Sequence, residues 1–147
     1  MDFAKFVNEN GLTLRKGGGM YTSFVCYKKE KICALDLYSI RRYKPDGTWD
    51  IRPNNLLFDD YDKYVTDDKL KEFILKSLNF ILCPRCNGGQ CIGRDENITI
   101  FGKSFSYVCS GSPLLIMNPQ NEALERAKEL VLITKNIIDD NKLASQA

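Results

Sequence analysis

The sequence predicts an α+β domain with a largely antiparallel sheet of about six strands in two β-β-β-α halves, its helices packed on one face. Three observations carry this. Short runs rich in β-branched and aromatic residues recur between turn residues, which is how sheet strands joined by tight connections read. Two later segments repeat apolar residues at helical spacing. Each of those segments follows a group of strand-like runs, and strands grouped apart from helices favour a mixed antiparallel architecture.

Along the chain, Asp2 to Asn8 predicts a short helix with Phe3, Phe6 and Val7 on one side. The run "RKGGGM" (Arg15–Met20) breaks it with three glycines. "YTSFVCY" and "ICALDLYS" then read as paired strands around the charged turn "KKEK". A turn centred on Lys29 and Glu30 sets Phe24 opposite Leu35 and Cys26 opposite Cys33. Cross-strand partners share a face, so these four are the expected core side of the hairpin. "KPDGTWDI" adds a turn at Pro45, Asp46 and Gly47, leading into a third strand with Trp49 and Ile51.

"RPNNLLFDDYDKYV" reads as an irregular acidic connection with Tyr61 and Tyr64 on the surface. Thr66 or Asp67 then caps a helix whose apolar positions are Leu70, Phe73, Ile74, Leu78 and Ile81. After a cysteine-rich segment, "NITIF" and "SFSYVC" form a hairpin around Gly102–Lys103, and "PLLIM" makes a sixth strand. Asn118 caps the last and longest helix with Pro119 at its first position, where a missing N–H is harmless. Its expected buried face is Ala123, Leu124, Ala127, Leu130, Val131, Ile137 and Ile138.

At 147 residues the chain is expected to form one domain over 1–147. Its parts are a first half (1–82), a cysteine-rich loop (83–96) and a second half (97–147). The net charge is +2, too small for a protein built around a large nucleic-acid footprint. An acid at position 2 and no long apolar run argue against a secretory signal or a membrane span. A cytoplasmic location follows as an expectation, and there thiols stay reduced. Six cysteines then read as metal ligands, reactive thiols or core residues rather than disulfides. The chain has no histidine. That excludes histidine acid–base catalysis, Ser-His-Asp and Cys-His nucleophiles, and any imidazole-bound metal.

The chemistry-bearing stretch is "CPRCNGGQC", with Cys83, Cys86 and Cys91, followed later by Cys109. Zinc in a structural site takes four soft ligands in a tetrahedron. A C-x2-C turn supplies two thiolates, and Gly88 and Gly89 let the chain double back towards Cys91. Cys109, ending a strand beside the segment, is the expected fourth ligand. Zn2+ is the leading cofactor expectation. The same four thiolates also suit an iron–sulfur cluster. A redox dithiol at Cys83/Cys86 is a third reading, because "CPRC" has the C-P-x-C form. In thioredoxin-like proteins, however, that motif opens a helix that lowers the first thiol's pKa, whereas here it leads into "NGGQ". Free thiols are the fourth. Cys26 and Cys33 read as small apolar core residues of the hairpin.

The run "CPRCNGGQC", with "FGKSF", "VC" and "NP" ahead of a long final helix, resembles a cysteine-rich segment of small uncharacterised bacterial proteins. These carry C-G-G-x-C and F-G-K-x-F-x-x-V-C blocks, some attached to gyrase-inhibitor-like effector-binding domains. The resemblance spans roughly Cys83 to Ile138. It implies that Cys86, Cys91 and Cys109 belong to one recurring unit, and it carries no activity to transfer.

Other features point to solvated surface or core. "YSIRRYKPDGTW" interleaves Arg41, Arg42 and Lys44 with Tyr38, Tyr43 and Trp49, a pattern that can hold a nucleic-acid strand. Asp59, Asp60 and Asp62 lack the spacing of a calcium loop. Trp49, Tyr38 and Tyr107 are candidates for an aromatic ligand pocket. The expected function is a non-catalytic binding module with a structural thiolate zinc site and an unidentified small molecule or protein as partner. A thiol-dependent redox enzyme and a nucleic-acid-binding accessory protein are the alternatives.

Overall fold

In a computed structural model, described here for residues 2–17, 22–36, 49–53, 58–80, 94–95, 97–109 and 113–146, the elements run in a mixed order. They are α1 (Asp2–Glu9), β1 (Thr13–Lys16), β2 (Thr22–Tyr27), β3 (Glu30–Asp36), β4 (Asp50–Pro53), α2 (Phe58–Tyr64) and α3 (Asp68–Lys76). Then follow β5 (Arg94–Asp95), β6 (Ile98–Ile100), β7 (Lys103–Phe105), β8 (Val108–Cys109), β9 (Ile116–Met117) and α4 (Glu122–Gln146). The class is α+β, as the sequence predicts. The halves are not two matching β-β-β-α units, because the main sheet takes four strands from the first half and only one from the second. Its order is β1-β2-β3-β4-β9, antiparallel throughout, while β5 pairs with β8 and β6 with β7 in two small ladders.

Helix α1 buries Phe3 and Val7, one turn apart. It ends in a Schellman turn: Leu12 N–H donates to Val7 O (3.0 Å) and Gly11 N–H to Asn8 O (3.3 Å). Gly11 has φ +70°, a conformation that favours glycine. That reversal feeds β1, a strand the sequence reading lacked because "TLRK" has no alternation of buried and exposed residues; all four are exposed at the sheet's edge. Gly17 then donates its N–H to Thr22 O (2.8 Å). A Cβ there would sit 2.9 Å from both Thr22 O and the Phe24 ring, so the close approach requires glycine.

The β2–β3 turn falls at Lys28 and Lys29, with φ of 48° and 70°, one position earlier than expected. The register shifts again between Val25 and Cys26, leaving Ile32 as an extra residue on β3. Val25 therefore faces Cys33, Ser23 faces Leu35 and Phe24 faces Ala34. Since one step of register swaps faces, Val25, Cys33 and Leu35 form the core side and Phe24 lies on the other, where the Lys31 ammonium covers its ring at 4.1 Å. The two turn positions prefer Asn-Gly, because both need positive φ. Lys29→Gly should relieve left-handed strain worth about 1–2 kcal/mol, against a backbone-entropy cost of about 0.5–1 kcal/mol. A net gain of about 0–1.5 kcal/mol is expected. Its sign is read from the urea midpoint, and a lowered midpoint would refute the turn geometry.

Helix α3 begins as the sequence predicts: the Asp67 side chain accepts from Leu70 N–H at 3.2 Å. It stops at Lys76, short of Leu78 and Ile81. Ser77 Oγ donates to Phe73 O (2.8 Å), competing with the backbone ladder. Leu78 then pairs with Leu114 as an isolated bridge, and Ile81 lies outside the described residues. The β6–β7 turn is at Phe101–Gly102 (φ 52° and 74°) rather than Gly102–Lys103. The run "SFSYVC" is broken in two at Tyr107, whose φ is 65°.

The last helix begins at Glu122, not at Pro119. Asn118 has φ 42° and does not cap it. Its N–H donates to Trp49 O (2.7 Å) and to Asp50 Oδ1 (3.1 Å), which holds the chain against β4 instead. The buried face of α4 is Ala127, Leu130, Val131, Thr134 and Ile137, at helical spacing. One hydrophobic cluster joins Ala127, Leu130 and Val131 to Val25, Cys33, Leu35 and Ile51 of the sheet and to Tyr61, Leu70 and Ile74 of α2 and α3. Tyr61 is 1% exposed, which corrects its expected surface position. The acidic connection contains a helix, α2, whose one apolar side is turned to the core.

Candidate functional site

Cys109 is the one proposed metal ligand among the described residues; Cys83, Cys86 and Cys91 lie outside them. It is a free thiol, 5% exposed, at the end of β8. Its backbone is held from two sides. On one side it pairs with Arg94 of β5. On the other its N–H donates to Asn79 O at 2.9 Å, while Asn79 N–H donates to Pro113 O at 2.8 Å. Asn79 is itself buried, so this junction is fixed in the core.

The junction brackets the cysteine-rich segment. Asn79 stands four positions before Cys83, and Arg94 three positions after Cys91. Asn79 and Arg94, which flank the segment in sequence, both touch the backbone of Cys109. Among the described residues no three His, Cys, Asp or Glu side chains are grouped as metal ligands.

No family model, curated protein or solved structure matches this chain. Among the described residues no helix is long and apolar enough to cross a membrane.

Cys26 and Cys33 are buried, as the core reading requires. Cys33, on β3 and paired with Pro53 of β4, lines one small cavity with Ile51, Ala127, Leu130, Val131 and Thr134. Burial, with a smaller contribution from Cys26, pushes its thiol up to about 12. Little thiolate then exists at neutral pH in the metal-free protein, which disfavours a role as nucleophile. Because the folded value lies above the ordinary thiol value of about 8.5, this contribution to stability is complete below pH 8.5 and is lost as pH rises towards 12. Native Cys33 should resist iodoacetamide at pH 8 and react only on unfolding, as read by peptide mass mapping. Alkylation as fast as in urea would show that it is not sealed in the core.

Two of the three aromatic candidates, Trp49 and Tyr107, are among the described residues. Trp49 is half-buried with its ring 5.5 Å from that of Phe3, so it is used by the core. Tyr107 is 70% exposed, on the strained residue between β7 and β8. Tyr38 lies outside the described residues, as do Arg41, Arg42, Tyr43 and Lys44 of the basic–aromatic run. Asp62 accepts from Phe101 N–H at 2.8 Å and ties α2 to the β6–β7 turn.

Sequence reasoning missed two clasps on α4. Tyr27 Oη donates to Asp139 (2.9 Å), as does Lys28 Nζ (2.7 Å), and Tyr64 Oη donates to Asp140. The Lys28 and Tyr27 hydrogen bonds hold the Asp139 carboxyl below the usual carboxylate range. The partners are far apart in sequence, so no local pattern signals them. Both clasps are structural, joining the last helix to the β2–β3 hairpin and to α2.

Proposed function

We propose that the chain is a non-catalytic cytosolic binding module in which Cys83, Cys86, Cys91 and Cys109 hold a structural zinc ion. The observation that carries this reading is the position of Cys109, with backbone contacts to Asn79 on one side and Arg94 on the other. In the sequence, the segment containing the other three cysteines lies between those two residues. In a chain without histidine a zinc site is built from thiolates, with a carboxylate as the other available ligand, and C-x2-C is a common way to present two thiolates. The resemblance to a bacterial cysteine-rich unit containing Cys86, Cys91 and Cys109 supports the same grouping. The partner is a small molecule or a protein.

Metal binding contributes to the folding of whatever it organises. The hydrophobic cluster draws on α1 to α4 and the five-stranded sheet. A strong chelator is therefore expected to increase hydrogen exchange around residues 81–95 and leave the exchange of Leu130, Val131 and Ile137 unchanged. Freshly purified protein should carry about one zinc per chain by elemental analysis. Protein free of metal, with Cys83 and Cys86 readily oxidised to a disulfide, would favour the redox reading and end the zinc one.

A further inference from the structure

We draw no further inference here: the strongest candidate, the surface groove between α3 and α4 with Phe73 at its floor and Lys69, Lys76 and Arg126 facing Glu72 and Glu122, is an unpartnered face with nothing in the structure to show what covers it.

Discussion

Replacing Tyr61 by alanine is expected to remove about 3–5 kcal/mol of stability, the usual cost of deleting a fully buried aromatic side chain. A domain of this size has about 5–15 kcal/mol in all, so the variant should be close to unfolding at 37 °C. The effect is large because Tyr61 is among the largest fully buried side chains and lies on α2, a helix that contacts both β6 and α4. Without the ring, α2 retains Val65 just beyond its end as a buried anchor. Tyr64, one turn along, is the internal control. It is half-buried, its hydroxyl donates to Asp140, and Tyr64→Ala should shift the urea midpoint far less. Equal shifts for the two variants would mean that α2 is not packed as described, and that both tyrosines rest on the surface.

The contrast between those tyrosines illustrates what was legible in the sequence. Periodic segments were read correctly in kind: the apolar spacing of α1, α3 and α4 marks helices, and Asp67 is the cap of α3. Where periodicity was short, the reading failed. "FDDYDKY" has too few apolar positions to distinguish a one-sided helix from an acidic loop, because Tyr61 is its only described residue in the core. Register was out of reach for a different reason. The β2–β3 pairing depends on a lysine pair adopting positive φ and on an extra residue at Ile32, and neither has a local signature. The terminus of α4 was misplaced because Asn-Pro is a fair start signal, yet the Asn118 N–H is taken by β4. Of the candidate site, the place of Cys109 at the end of a strand was anticipated. The clamp from Asn79 was not, since it arises from a bridge between two segments that read as helix end and strand.

The cysteine series separates the thiols by what surrounds them. Cys86→Ser and Cys91→Ser should each abolish tight zinc binding, because a hard hydroxyl is a poor replacement for a soft thiolate. Cys83→Ser should do the same. Cys109→Ser is expected to lose the metal too, but Cys109 is buried and its loss could also disturb the β5–β8 ladder. Cys109→Ala keeps an apolar side chain at the site, so a folded but zinc-free alanine variant isolates the ligand role from the packing role. Cys33→Ser places a hydroxyl among Ile51, Leu130 and Val131, where an unbonded polar group costs about 1–3 kcal/mol. It should lower stability and leave zinc per chain unchanged. Cys26→Ser should likewise retain the metal. The decisive measurement is zinc per chain for all six serine variants and Cys109→Ala, taken alongside circular dichroism to confirm folding. Retention of zinc by folded Cys109→Ala, with its loss on changing Cys26 or Cys33, would move the fourth ligand into the hairpin and overturn the assignment built on the Asn79–Cys109–Arg94 junction.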